Sequence, residues 1–196
     1  MKKLVPDDAV LIPENAERVF KGRIFDVYQW EQKMFDGTSA TFEMIRRPDT
    51  VCSIPIVDNK ILVIDDEQPH TGSRIGFPGG RVDSQDESTL TSAKREVLEE
   101  TGYEFNDWKL TGVFQPHTKL EWFIYFYIAS NGHKVGKPHL DTGEKITLKQ
   151  LSFDEVKNLA ITKSGYLADS KDLFEGLNSL DELINLPKFS GKSIER

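Results

Sequence analysis

Apolar residues along this chain fall mostly in short runs of strand length, separated by turn residues. Residues 1–19 are polar with two prolines and read as an arm containing a short turn. From Ile24 to Met34 apolar and polar positions alternate imperfectly, Asp36-Gly37 marks a turn, and Thr41 to Ile45 forms the return strand of a hairpin. Val51 to Val57 and Ile61 to Ile64 read as core strands on either side of Asp58-Asn59. Trp108 to Phe114, Trp122 to Ala129 and Ile146 to Leu151 read as three more. Trp122, Tyr125 and Tyr127 lie inside an apolar strand and are assigned to the core. Helical spacing is clearest from Ser88 to Thr101, stopped by Gly102. It recurs from Phe153 to Ala160, behind Ser152 and Glu155 in capping-box spacing. A third helix is expected between Ser170 and Leu186. Strands on both sides of a central helix predict a mixed α/β domain with a sheet sandwiched between helices.

The central helix carries the chemistry. Its core reads Arg95-Glu96-Val97-Leu98-Glu99-Glu100-Thr101-Gly102. Residues three and four apart share a helix face, so Glu96, Glu99 and Glu100 lie on one side and Leu90, Ala93 and Val97 on another. Clustered carboxylates repel one another, and a solvated face gains nothing by grouping them. Hard divalent cations want such oxygen donors, and Mg²⁺ binds phosphates through one or two carboxylates plus water. The Phe77-Pro78-Gly79-Gly80 turn upstream can bring backbone close to a metal or a phosphate.

This stretch resembles the Nudix box, in which a glycine, an acidic residue and an Arg-Glu-apolar-x-Glu-Glu-x-Gly-apolar run follow at fixed spacing. Glu87 stands seven residues before Arg95 as the pattern asks, and Tyr103 fills the last position. Six residues separate Gly80 from Glu87 where the pattern has five. A loop absorbs such an insertion cheaply, and it leaves the first acidic role open between Asp86 and Glu87. A weaker likeness, carried by residues 30–37, Arg47-Pro48-Asp49-Thr50-Val51 and Gln68, is to the ADP-ribose and nucleotide-sugar pyrophosphatase branch of that family. The resemblance implies an α/β (α+β) fold, an α/β/α sandwich with a mixed sheet, plus a small N-terminal antiparallel sheet. It implies an arm and hairpin over residues 1–48 for dimerisation and substrate contact, a hydrolase domain over 49–186, and a tail, 187–196, expected to be disordered.

The same resemblance implies hydrolysis of a pyrophosphate joining a nucleoside to a sugar. Mg²⁺, with Mn²⁺ able to substitute, would be held by Glu96, Glu99, Glu100 and the Gly79 carbonyl. Arg95 would orient a glutamate. The base is expected from the acidic loop at residues 139–144, with Glu144 the first candidate and Asp141 the second. Trp30, Tyr28 and Phe25 could stack on a base, although strand aromatics also serve as core. The branch often carries Gln-Tyr-Arg where this chain has Gln68-Pro69-His70, so phosphate contact passes to Arg47, Arg74 or Arg81. His117 and His133 stand in no metal-ligand spacing. Two further readings stay open: another Nudix substrate (a triphosphate, a dinucleotide or an RNA 5′ end), and a nucleotide-binding sensor without turnover. The intact glutamate set argues against the sensor.

Composition narrows the partners. At 38% hydrophobic and 29% charged, 196 residues fit one globular domain. A net charge of −7 without a basic stripe argues against nucleic acid, whereas a small nucleotide has its phosphates neutralised locally by bound metal. Cys52 is the single cysteine, which predicts a reducing, cytoplasmic setting. The longest apolar run is too short to span a bilayer. The implied partners are a small nucleotide substrate and a second copy of the chain, through the N-terminal sheet.

Overall fold

In the computed structural model, residues 2–68, 72–140, 143, 145–162, 167 and 170–195 are described. The expected hairpin forms from β3 (Asp26–Lys33) and β4 (Ser39–Arg46), joined across Asp36-Gly37, with β2 (Glu17–Lys21) added outside β3. β1 (Lys2–Val5) precedes them and belongs elsewhere. The core strands follow as β5 (Thr50–Val57) and β6 (Lys60–Gln68), about a turn in which Asp58 and Asn59 both adopt positive φ. β7 (Gly72–Gly76) and β8 (Gly79–Arg81) then lead into α1 (Thr89–Thr101). β9 (Tyr103–Phe114), β10 (Leu120–Glu121), β11 (Ile124–Lys134) and β12 (Lys145–Leu151) complete the strands before α2 (Phe153–Ile161).

The central sheet runs β12-β6-β5-β11-β9, with β7 paired to β6 and β8 to β5. It is mixed: β11 lies parallel to β5 and antiparallel to β9. Alternation along the strands sends side chains to opposite faces. Val51, Phe123, Tyr125 and Tyr127 pack with Ala93 of α1 on one face, and Val97 joins a neighbouring cluster with Leu62 and Ala129. Ile54, Ile56, Ile124, Phe126 and Ile128 pack on the other face with Phe153, Val156 and Ala160 of α2. The α/β/α sandwich and the separate small N-terminal sheet are therefore present, with β10 docking parallel on β4 to tie the two sheets.

Local signals held where they rested on side-chain chemistry. Ser88 caps α1 by accepting from the Thr91 N–H, and Gly102 closes it at φ +71° with its N–H donated to the Leu98 carbonyl. Ser152 and Glu155 form a reciprocal capping box at α2. The third expected helix is instead two short ones, α3 (Lys171–Phe174) and α4 (Leu180–Ile184), with Gly176 at φ +91° between them. Both still dock, through buried Phe174 and Leu183.

The tail expected to be disordered is ordered. β13 (Lys192–Glu195) pairs antiparallel with β1, while the Phe189 N–H donates to the Leu110 carbonyl. Phe189 and Ile194 pack against the α1-side cluster, and Lys192 donates to the carbonyls of Asp7 and Ala9. Short, charge-alternating segments look solvated in sequence, and only a partner strand from the opposite terminus gives this one somewhere to bind. Among the described residues no helix is long and apolar enough to cross a membrane. Removing residues 187–196 is expected to lower the melting temperature by about 5 °C or more, measured by differential scanning calorimetry; an unchanged transition would return the tail to the disordered state.

Candidate active site

Two local devices build this site. The first is a split in the sheet. β5 and β6 are paired only at Ile56↔Ile61 and Val57↔Lys60. Beyond that point β5 turns to β8 and β6 to β7, so the strands part and leave a cleft between them. The second is the Gly79-Gly80 turn, which crosses the opening directly under α1. A Cβ on Gly80 would sit 2.7 Å from the Glu96 carboxylate, and one on Gly79 would run into the Val51 carbonyl. At Gly79 the obstacle is main chain and glycine is required by close approach, whereas the Glu96 carboxylate near Gly80 can move aside. The Gly79 N–H donates to Glu100 Oε2 at 2.8 Å, which fixes a carboxylate that is only 6% exposed.

Arg95 organises the rest. Its Nη2 donates to Asp86 Oδ2 at 3.1 Å and to the Arg81 carbonyl at 3.3 Å. Nη1 lies 2.9 Å from Glu96 Oε1 and donates to Glu99 Oε2 at 3.0 Å. Burial opposes the guanidinium charge, but Asp86, Glu96 and Glu99 together hold Arg95 protonated well above its ordinary range. Asp86 accepts a further bond from the Asp83 N–H at 2.9 Å. Burial pushes the Asp86 carboxyl up, and the Arg95 and Asp83 donors outweigh it, leaving Asp86 below the usual carboxylate value. Asp86 is buried while Glu87 is exposed, so Asp86 takes the first acidic position of the box. Five residues then separate it from Gly80 as the pattern asks, and the inserted residue falls between Asp86 and the helix.

Glu96, Glu99 and Glu100 line one pocket of about 200 Å³ with Gly79, Gly80 and Arg81. Carboxylate oxygens predominate there, beside His139 and Arg95, and they suit a divalent cation of the Mg²⁺ type. Among the described residues no three acids, histidines or cysteines are gathered as a ready ligand cluster. The reason is visible in the bonds above: Glu96 and Glu99 lie against Arg95, and Glu100 is held by Gly79.

The cleft continues from this pocket as a cavity of about 480 Å³ that shares Gly79, Gly80, Arg81 and Glu100. Arg47 lies in its wall, with its guanidinium 4.4 Å from the Trp122 ring centre and 5.8 Å from that of Phe25. Its buried Nε has no hydrogen-bond partner among the described residues. Burial, then the charge of Arg81, lower the Arg47 guanidinium from its usual value. An anion entering the cleft relieves both effects. Arg47 also faces a third cavity, of about 530 Å³, between the N-terminal sheet and the central sheet.

The sequence-predicted substrate residues divide. Arg47 and Arg81 meet the cleft. Arg74 is exposed on β7, and Tyr28 and Trp30 sit on the N-terminal sheet; none of these three lines the carboxylate pocket or the cleft. Tyr28 is engaged by Arg46, which donates to its hydroxyl at 3.1 Å and stacks 4.6 Å above its ring. Glu144 and Asp141 lie outside the described residues. Trp122, assigned to the core, is half-buried in the cleft wall and donates to Thr50 Oγ1 at 2.9 Å. Tyr125 and Tyr127 are core as expected. Sequence reading missed His139, which lines the carboxylate pocket with its N–H donated to the Glu99 carbonyl, and Asp66 in the cleft. The alternation Ile64, Asp66, Gln68 along one strand face is the signal that could have found Asp66.

Comparison with known proteins agrees with this geometry. A family model described as the NUDIX domain matches residues 46–169. A methanol dehydrogenase activator of Bacillus methanolicus is 29% identical over 161 residues, covering 80% of this chain and 85% of that protein. An ADP-ribose pyrophosphatase of Bacillus subtilis is 22% identical over 154 residues, covering 76% and 83%. A crystal structure of an ADP compounds hydrolase superposes with a TM-score of 0.62 at 22% identity, over 78% of this chain and 84% of that one, and shares its fold.

Asp86→Asn is expected to destabilise the fold by about 1–3 kcal/mol at pH 7, since it removes a buried charge-assisted bond to Arg95. The folded Asp86 carboxyl titrates below its unfolded value, so its contribution is present above that value and lost as pH falls through the lowered one. Urea denaturation of both proteins from pH 7 to about pH 2.5 should therefore show the gap closing in acid. A gap independent of pH would remove the charged pair from the account.

Proposed function

The chain belongs to the NUDIX family, and we propose that it hydrolyses the pyrophosphate of ADP-ribose or a nucleotide sugar, giving a nucleoside monophosphate and a sugar phosphate. One observation carries the reading: the box carboxylate Glu100 and the half-buried Arg47, whose buried Nε has no hydrogen-bond partner among the described residues, line the same cleft. Such a cleft takes a phosphate between cations and metal-binding acids. The relative named as an ADP-ribose pyrophosphatase supports the substrate class.

Glu96, Glu99, Glu100 and the Gly79 carbonyl would hold Mg²⁺, with Mn²⁺ able to substitute. The bound metal supplies charge neutralisation at the pyrophosphate and a lowered pKa for coordinated water. The chain's own residues do the remainder. Arg95 orients Glu96 and Glu99. Arg47 and Arg81 take the non-bridging phosphate oxygens and set the reacting phosphorus in line. Glu144 accepts the proton of the attacking water as the phosphorus–bridging-oxygen bond breaks, with Asp141 next in line for the role.

A second copy of the chain completes this reading. The N-terminal sheet leaves Val19, Phe20, Phe25, Met34 and Ile45 exposed, a surface that favours a homodimer through this sheet. Light scattering on the parent should give twice the chain mass, and Phe20→Asp with Val19→Asp should halve it. A monomeric parent would end the dimer proposal.

Incubation with ADP-ribose and common nucleotide sugars in Mg²⁺, followed by mass spectrometry, is expected to yield a nucleoside monophosphate and a sugar phosphate. Cleavage only of triphosphates or dinucleotides would overturn the substrate class, and no cleavage in Mg²⁺ or Mn²⁺ would overturn the activity. Glu144→Gln should lower kcat about 10²–10⁴-fold, whereas a loss under about fivefold would pass the role of base to Asp141 or a box glutamate.

A further inference from the structure

Two deeply buried acids, Asp49 and Glu121, are among the residues that line the third cavity, at 8% and 2% exposure. Each has its own cation from the same lining. Glu121 is held by Arg46 Nε at 2.8 Å and accepts the Ile12 N–H at 2.6 Å. Asp49 Oδ2 lies 2.6 Å from Lys3 Nζ, and its Oδ1 accepts the Phe123 N–H at 3.0 Å. Arg47, which lines both this cavity and the cleft, is the arginine left over. Its buried Nε has no hydrogen-bond partner among the described residues.

A buried carboxylate stripped of its partner takes a cation or a proton within reach. Asp49 is fixed in place by more than its carboxylate, since its carbonyl accepts the Val82 N–H at 2.8 Å. Burial pushes the Asp49 carboxyl up, and Lys3 and the Phe123 N–H work against that. Arg47 stands two residues away. Burial and Arg81 disfavour its guanidinium charge, and the Asp49 charge favours it. A pairing of Arg47 with Asp49 would therefore relieve both groups, and it is Lys3 that occupies Asp49 instead. Lys3 comes from β1, where it pairs with Ile194 of β13, so the two chain ends together present this ammonium. We propose that Lys3 is a positioning residue for the cleft: by matching Asp49 it keeps that carboxylate from claiming Arg47, which is left for a phosphate of the substrate. The inference rests on the pyrophosphatase reading for the identity of that phosphate. It makes the β1–β13 pair, which lines no part of the cleft, a determinant of the cleft's affinity for anions.

The test is a pair of variants. Lys3→Met keeps the apolar stem and removes the charge. Lys3→Met combined with Asp49→Asn removes the carboxylate as well and keeps an acceptor for the Phe123 N–H. Dissociation constants for ADP-ribose are measured by calorimetry with Ca²⁺ replacing Mg²⁺, and product analysis verifies that the ligand survives. Lys3→Met is expected to weaken ADP-ribose about tenfold, and the double variant to recover to within about threefold of the parent. Equal losses in both variants would make the pair structural only and overturn the proposal. Parent-like binding by Lys3→Met, the result if Asp49 takes a proton rather than Arg47, overturns it too. A second readout needs no ligand. The Arg47 Nε–H signal in proton–nitrogen correlation spectra, identified by its absence from Arg47→Lys, should move in Lys3→Met and return in the double variant. A stationary signal overturns the proposal. Hydrolysis is scored separately with Mg²⁺. A parent that cleaves neither ADP-ribose nor nucleotide sugars overturns the pyrophosphatase reading, and the Arg47 signal then decides the present inference. A parent that cleaves ADP-ribose while Lys3→Met binds it like the parent overturns only the present inference.

Discussion

The acidic face of α1 depends on Arg95. Asp86, Glu96 and Glu99 converge on it, and like charges held this close repel one another unless a cation lies among them. Arg95 meets all three within 3.1 Å on at least one atom and adds the Arg81 carbonyl. The guanidinium thereby fixes the loop before the helix to the helix itself. It also holds Glu96 and Glu99 in a neutralised arrangement.

The second constraint is the parting of β5 from β6. A fully paired sheet would bury the strand edges and leave no room between them. Here β7 and β8 satisfy the separated backbones, so the opening costs few backbone hydrogen bonds. Glycine in the crossing turn lets a carboxylate from α1 sit against main chain. The same opening exposes Asp66 and the half-buried Trp122, which continuous pairing would have left as ordinary strand residues. Glu100, Arg47, Arg81 and Asp66 thus share a single gap in one sheet.

Much of this was legible in the chain itself. The box helix, its Gly102 stop, the Ser152–Glu155 capping box and the 26–46 hairpin all rest on interactions within a few residues, and local spacing reports those directly. The acidic cluster was legible for the same reason, since helical geometry alone puts Glu96, Glu99 and Glu100 together. Trp122 does pack against the core as assigned, but that it also lines the cleft shows only once the neighbouring strands are seen to part. The 187–196 tail was misassigned because its partner, residues 2–5, lies at the opposite end of the chain.

The sequence by itself determined which residues would gather charge on α1, because a helix converts a spacing of three and four into one face without help from the rest of the chain. Only the tertiary structure decided that Asp86 rather than Glu87 bonds Arg95, that Arg47 and Arg81 rather than Arg74 meet the cleft, and that Asp66 lines it. Each of those depends on strands distant in sequence diverging at a particular residue pair. Local propensity carries no record of where two strands stop pairing, since that is fixed by packing across the whole sheet.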